Sequence, residues 1–303
     1  MSAFVSGGKP RAWLRLVLFY GVTLVGMAAL MFAAAALNPG PRLVTLDDFV
    51  SGRINPWRLT AVGLLPLAPV VAATLLARRF LDGRPPVASL GLQPRRLPAG
   101  LFGGFAAGVV FLVLNVVIIT ALGGFKISAR PLAAGDGVAL VGGLAFFLVF
   151  AALEELSFRG YPIKVLDESW RRWGAVFVTS LAFSLLHLAN PGSNLLPVVN
   201  IAAAGAILAL LYLQSGSLWL AISFHWGWNV AEGPIFGTAV SGMASHTTLF
   251  IARAAGPAWL SGGGFGPEAS VVLTATAACV IVSLLVFQPF RRPGRVAVVG
   301  GSL

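Results

Sequence analysis

Long apolar runs dominate this chain of 303 residues and leave room only for short connections between them. A helix that crosses a bilayer needs about 20 consecutive, mostly apolar residues. Eight stretches meet or approach this requirement, and the seventh is short: 13–37, 59–77, 101–122, 138–156, 173–188, 195–213, 218–230 and 270–287. The sequence therefore predicts an all-α, polytopic membrane helix bundle with about eight transmembrane helices.

The composition excludes an ordinary soluble protein. Hydrophobic residues make up 57% of the chain, charged residues 10%, and the mean hydropathy is +0.88. A soluble globular domain carries about 25% charged residues, so much of this surface must face membrane lipid. The net charge of +11 does not indicate a nucleic-acid partner, because the cations flank the apolar runs. We predict a multi-pass integral membrane protein, in the plasma (inner) membrane if the source is prokaryotic.

The basic residues set the predicted orientation. With eight spans and the N-terminus in the cytoplasm, fifteen of the 21 Lys and Arg residues fall on the inner side. They lie at 9–15, at 78–96, at 159–172 and after the last span. Both the N-terminus and the C-terminus are therefore predicted to be cytoplasmic.

Three parts of the chain are distinguished. Residues 1–100 hold the N-terminal membrane helices and an inner connection, and 101–235 form a catalytic membrane core. Residues 236–303 hold most of the longest outer connection, the last transmembrane helix and a basic tail. A single cysteine, Cys279, excludes a disulfide or a cysteine-based zinc site within one chain.

Ionisable side chains at membrane depth are costly and usually carry function. The first group, Glu154, Glu155 and Arg159, lies at the predicted inner end of the fourth apolar run. Consecutive helical residues point about 100° apart, so the two acids cannot do the same job. Glu155 and Arg159 are four residues apart on one face, which favours an ion pair. Glu154 is then the free carboxylate that can face a cavity. The alternative is an interfacial ion-pair cluster at a helix end.

Two histidines and an asparagine mark the fifth and seventh runs. His187 lies in an otherwise apolar helix, and a lone histidine there is typical of a hydrogen-bonded packing residue. His225 and Asn229 are four residues apart, so both can point at one site. Gly227, between them, allows close approach of another helix.

Other residues near the seventh run have simpler interpretations. Trp226 and Trp228 are typical of interfacial anchors. Glu232 follows Asn229 by three residues and could share its face, but an acid of the outer connection is the simpler hypothesis. His246 lies in the same connection, where we expect a solvated surface residue.

Together these groups predict one polar cavity in an apolar bundle. They come from three separate runs, and almost no other ionisable residues lie at membrane depth. A water, a base and donors for an oxyanion are what a hydrolytic site needs. Two alternatives stay open, a proton-coupled transporter with these residues on its path and a catalytically inactive membrane scaffold or immunity protein.

The motifs resemble those of the CPBP family, the CAAX proteases and bacteriocin-processing enzymes, also called the type II CAAX prenyl endopeptidase or Abi family. The family pattern is EExxxR, FxxxH and HxxxN on successive membrane helices. The matching residues here are Glu154-Glu155 with Arg159, Phe183 with His187, and His225 with Asn229. The resemblance covers about 101–229, and 89–92 is similar to a short segment that often precedes this core.

The resemblance implies a glutamate-dependent intramembrane endopeptidase. Glu154 would be the general base that activates water, and His187 would help to position it. His225 and Asn229 would bind the oxyanion of the tetrahedral intermediate. The ion pair predicted above would hold the site together.

The family is often labelled as metalloproteases, and a zinc site would need three protein ligands plus water. Glu154, His187 and His225 could supply those ligands. However, the sequence lacks HExxH, and Asn229 is a poor zinc ligand but a good hydrogen-bond donor. We therefore predict a mechanism without a metal or other cofactor, and zinc is the alternative.

The predicted partner is a membrane-associated peptide or protein substrate, either prenylated and CaaX-like or bacteriocin-like. Nothing in the sequence indicates a group that recognises a prenyl chain specifically, and nothing indicates the oligomeric state. The basic inner connections and the inner-end position of Glu154 predict access to the site from the cytoplasm.

Overall fold

A computed structural model describes residues 5–6, 9–37, 55–245 and 247–289 of the chain. Within these ranges, eight long helices occupy the eight predicted runs and confirm the all-α class: α1 (Ala12–Leu37), α2 (Pro56–Leu76), α3 (Leu97–Ala121), α4 (Asp136–Glu155), α5 (Tyr161–Leu186), α6 (Leu195–Ser215), α7 (Leu218–Val230) and α8 (Val271–Phe287). Four short strands form two antiparallel pairs: β1 (Val5–Ser6) with β2 (Lys9–Pro10), and β3 (Phe125–Ala129) with β4 (Phe250–Ala254).

Five helical runs of the described residues are long and apolar enough to cross a membrane. One of them, 136–189, joins α4 to α5 and so contains two predicted spans. The helices α7 and α8 are apolar but shorter, with 13 and 17 residues. The prediction of a multi-pass integral membrane protein is thus confirmed.

The fourth predicted span continues beyond its expected end. After α4 the chain forms a π-helical turn at Leu156–Gly160 and stays helical until the backbone of Arg171 leaves the helical region, with φ 63° and ψ 165°. The sequence had predicted a connection over 157–172. Glu154 therefore lies near the middle of a helical run, not at its inner end.

Where the connections are described, they alternate between the two ends of the bundle, as eight spans require. At one end, β3 and β4 join the α3–α4 connection to the α7–α8 connection. The Asn190 side-chain amide donates to the Ser241 carbonyl over 2.9 Å, which brings the α5–α6 connection to the same end. We name this end of the bundle the strand end; which end faces the cytoplasm stays a prediction.

A buried ion cluster occupies the opposite end of the bundle. Arg15 of α1 forms ion pairs with Asp82 and Glu168, and Arg78 pairs with the same Asp82 carboxylate. The Arg15 Nε also donates to the Tyr161 hydroxyl over 3.2 Å. Arg15 and Arg78 are buried. Their positions beside apolar runs predicted solvated cations that flank the membrane, and for these two residues that prediction is wrong.

The helix α7 lies inside the bundle, packed against α3, α4 and α6. Its contact with α3 requires glycine on both sides, where the two backbones approach closely. A Cβ atom on Gly108 would collide with the Phe224 carbonyl, and one on Gly227 would collide with the Phe105 carbonyl. With one face held so closely by α3, α7 presents His225 to the interior of the bundle.

We expect Gly108→Ala to lower the thermal stability of the purified protein in detergent. The added methyl group meets backbone atoms of α7 that cannot rotate away, and such overpacking costs about 1–3 kcal/mol. Gly103→Ala on the same helix is the matched control, because a Cβ atom there meets nothing within 4 Å. Tryptophan fluorescence on heating would measure both variants, and equal melting temperatures would contradict this packing.

Candidate active site

A buried ion pair forms the base of the site. The Arg159 Nη1 donates to the Glu155 Oε1 over 3.0 Å, and both side chains are fully buried. The Arg159 guanidinium also lies 4.4 Å from the centre of the Phe183 ring, in a cation–π contact that joins it to α5. The predicted pairing of Glu155 with Arg159 is thus confirmed.

His225 of α7 lies between the two glutamates of α4. Its Nδ1 is 3.1 Å from the Glu155 Oε1, and since an ionised carboxylate only accepts hydrogen bonds, Nδ1 is the donor. Its Nε2 is 3.4 Å from the Glu154 Oε2. Glu155 therefore orients the imidazole, and Glu154 lies on its opposite edge.

The two adjacent glutamates have different surroundings. The Glu154 side chain is 29% exposed and lines a cavity, whereas the Glu155 side chain has no exposed surface. This difference matches the expected 100° separation of consecutive helical side chains. Glu154 is the acid of this pair that a substrate can reach.

One cavity of about 520 Å³ brings the remaining predicted residues together with Glu154. His187, His225 and Asn229 all contribute to its lining. The His187 Nδ1 lies 2.8 Å from the Phe183 carbonyl oxygen, to which it must donate. In the neutral ring, Nε2 of His187 then keeps its lone pair as an acceptor.

Two further polar residues of the cavity were missed by the sequence analysis. Glu268 and Ser241 both line it, and the Ser241 hydroxyl donates to the Glu268 Oε2 over 2.6 Å. Burial raises the pKa of the Glu268 carboxyl above its ordinary value, while the hydrogen bond from Ser241 acts in the opposite direction. No motif contains Glu268; its position just before the last apolar run was the only signal in the sequence.

The simpler hypothesis for Glu232 is wrong. Glu232 is fully buried in the π-helical turn Ala231–Ile235 that extends α7. Its charge interacts with that of Glu268, and the Trp228 indole lies nearby. His246 lies outside the described residues.

The tryptophans beside His225 contribute to packing inside the bundle. Trp228 is buried, and its ring centre lies 5.0 Å from that of Phe111. The Trp226 Nε1 donates to the Leu144 carbonyl over 2.9 Å and joins α7 to α4. The expectation that both are interfacial anchors is therefore wrong.

The alternative zinc site does not fit the side chains as they stand. Among the described residues, no group of three or more His, Cys, Asp and Glu side chains is arranged to hold a metal ion. Of the three alternative ligands, the Glu154 Oε2 and the His225 Nε2 are 3.4 Å apart, and the bond of the His187 Nδ1 within its own helix leaves its Nε2 available, but the three side chains do not form such a group. We therefore derive no step through zinc.

The cavity lies toward the strand end of the bundle. Asn190, Pro191, Ser241 and Glu268 line it, and all four come from connections at that end. No described residue of the α2–α3 connection, which lies at the opposite end, contributes to the lining. The expectation that the site is reached from the side of the basic connections therefore has no support in this geometry.

We expect Arg159→Leu to destabilise the protein strongly, because it leaves Glu155 as a buried charge without a cation. Breaking a buried ion pair on one side costs about 3–5 kcal/mol, whereas replacing both partners by apolar residues costs much less. The double variant Glu155→Leu/Arg159→Leu should therefore be more stable than Arg159→Leu alone. Thermal unfolding in detergent would be measured for the wild type, Glu155→Leu, Arg159→Leu and the double variant, and a double variant that loses the sum of the two single losses would refute the pairing.

The comparison with protein families covers the part of the chain that holds the predicted site. Residues 136–231 match the family model described as Type II CAAX prenyl endopeptidase Rce1-like, and this segment is about one third of the chain. It starts later than the resemblance from residue 101 and ends before Glu268. Among proteins with curated descriptions, none matches the chain significantly. All six predicted site residues, from Glu154 to Asn229, lie inside the matched segment, and this match supports the resemblance of the motifs to the CAAX protease family.

Proposed function

We propose that the protein is an intramembrane endopeptidase in which Glu154 activates a water molecule. The family is one of intramembrane CAAX-type proteases in general. The observation that carries the proposal is that Glu154, His187, His225 and Asn229 line one cavity. A carboxylate, imidazoles and a carboxamide around one space can supply a base, a water ligand and oxyanion donors.

In the proposed first step, Glu154 accepts a proton from a water molecule in the cavity. The lone pair of the His187 Nε2 accepts the other hydrogen of that water and holds the oxygen toward the substrate. The water oxygen forms a bond to the carbonyl carbon of the scissile peptide. Its partial exposure makes Glu154 accessible to this water, whereas Glu155 is enclosed.

The carbonyl oxygen becomes an oxyanion in this step and needs donors. The Asn229 amide has two N–H groups, and the His225 Nε2 can donate when both ring nitrogens carry hydrogen. The two residues are one turn apart on α7 and line the same cavity. Removal of one such donor in other hydrolases slows turnover by about 10²–10³-fold.

In the second step, the tetrahedral intermediate collapses and the C–N bond breaks. Protonated Glu154 returns its proton to the leaving nitrogen, which departs as an amine, and the new acid remains on the other fragment. Glu155 and Arg159 touch neither fragment in this scheme. They are positioning residues, because Glu155 orients His225 through its Nδ1.

The proposed substrate is a peptide segment at membrane depth. The cavity is lined mainly by apolar side chains, among them Leu24 and Met27 of α1, Phe150 of α4 and Leu186 of α5. Such a lining suits an apolar segment in extended conformation, since a peptidase must reach the backbone of its substrate. Prenylated and unprenylated membrane peptides are both within this class.

We expect Glu154→Gln to reduce cleavage by about 10²–10⁴-fold, the usual contribution of a general base, while the protein remains folded. Full-length protein in detergent would be incubated with a set of apolar membrane peptides, and products would be identified by mass spectrometry. Asp136→Asn is the matched control, because this carboxylate pairs with Arg130 and does not line the cavity. Cleavage by Glu154→Gln at the wild-type rate would refute the assignment of the base. Absence of cleavage by every form would favour the scaffold hypothesis.

Cleavage should also continue in the presence of a strong chelator, because no step of the proposed mechanism passes through a metal. The same peptide assay would be run after dialysis against EDTA and after addition of zinc. Loss of activity that zinc restores would overturn the metal-free mechanism and support Glu154, His187 and His225 as ligands after rearrangement.

A further inference from the structure

We propose that Glu268 binds a positively charged side chain of the substrate beside the scissile bond. The inference rests on the proposed function and names the substrate class of that site. Glu268 would then be a specificity-determining residue, and the preferred substrates would be apolar membrane peptides with one lysine or arginine near the cleaved bond.

An excess of acid at the cavity is the first observation. The whole chain has ten Asp and Glu residues, and four of them lie in or next to this cavity: Glu154, Glu155, Glu232 and Glu268. Across the described ranges, Arg159 is the only lysine or arginine that forms an ion pair with any of them, and its partner is Glu155. None of the described lining residues is a lysine or arginine.

The position of Glu268 is the second observation. Its carboxylate lines the cavity and is fixed by the Ser241 hydroxyl at 2.6 Å. The predicted catalytic residues His187 and His225 line the same cavity. A group bound to Glu268 would therefore lie near the scissile bond.

Glu232 supplies the third observation. It is fully buried, and neither of its carboxylate oxygens meets the geometry of a hydrogen bond, although the Trp228 indole and the Glu268 backbone amide lie nearby. A buried acid without a cation is costly. Glu232 does not itself line the cavity, but its charge interacts with that of Glu268, so a cation bound to Glu268 would also lower the cost of this enclosed acid.

The same charges disfavour an anionic substrate group. A free C-terminal carboxylate entering this cavity would meet Glu154 and Glu268, and none of the described lining residues is a lysine or arginine that could pair with it. Repulsion between like charges is stronger in an apolar cavity than in water. The geometry therefore points to an internal peptide segment with a basic side chain, and away from recognition of a C-terminal carboxylate.

The test uses full-length protein in detergent and a host peptide found in the cleavage assay above. Lysine, norleucine and glutamate would be placed in turn at each position around the cleaved bond. Norleucine keeps the apolar stem of lysine and removes its charge. At one position we expect lysine to raise kcat/KM at least about tenfold over norleucine, the size of a charge-assisted hydrogen bond. Glu268→Gln should bring that ratio close to one, and Asp136→Asn should leave it unchanged.

Cleavage of the host peptide without a lysine preference would overturn this inference and leave the proposed function standing. A preference that persists in Glu268→Gln would also overturn it. If no peptide is cleaved, the proposed function fails, and binding of fluorescent lysine and norleucine versions of one apolar peptide then decides the inference. Tighter binding of the lysine version that Glu268→Gln abolishes would support it, and equal binding would refute it.

A second variant covers the case in which Glu268→Gln does not fold. Ser241→Ala removes only the hydroxyl that orients the carboxylate. We expect it to reduce the lysine preference by a smaller factor. An unchanged preference in a folded Ser241→Ala protein would contradict the role of this carboxylate.

Discussion

The structure around the cavity depends on the neutralisation of one buried charge. Two charges removed from water lose several kcal/mol of hydration each, and their attraction restores this only with good geometry. Glu155 and Arg159 meet that condition on consecutive helical turns, at 3.0 Å. The same two side chains also contact the neighbouring helices, because Glu155 accepts from His225 of α7 and Arg159 lies on Phe183 of α5. The contacts that compensate the buried charges therefore also fix the relative positions of the three helices.

The second constraint is the close approach of α3 to α7. Without large side chains at Gly108 and Gly227, the two backbones touch, and α7 can lie inside the bundle even though it has only 13 residues. Its remaining faces are then free for polar groups that would be costly against lipid. The glycines thus allow the short helix α7 to lie inside the bundle, where His225 and Asn229 are enclosed.

The sequence was sufficient for features that depend on local rules. Apolar length predicted the eight helices, and α7 begins and ends at the predicted residues. Helical spacing predicted the pairing of Glu155 with Arg159. By contrast, Glu268 reaches the cavity only because the α7–α8 connection folds back over the bundle, and its partner Ser241 is 27 residues away. Such contacts have no periodicity. The helix through 157–170 was missed because Arg159 and Lys164 suggested a polar connection, whereas Arg159 is buried and Lys164 lies over the Tyr212 ring.

The acidic lining of the cavity also affects what happens after the proposed cleavage. Hydrolysis creates a new carboxylate terminus beside Glu154 and Glu268, where the described lining offers no lysine or arginine to hold it. In a low dielectric these like charges repel one another more strongly than they would in water. This repulsion would drive the acyl fragment out of the cavity and would oppose its return to the amine. Electrostatic ejection of the product would make the reaction run in one direction and would clear the cavity for another molecule.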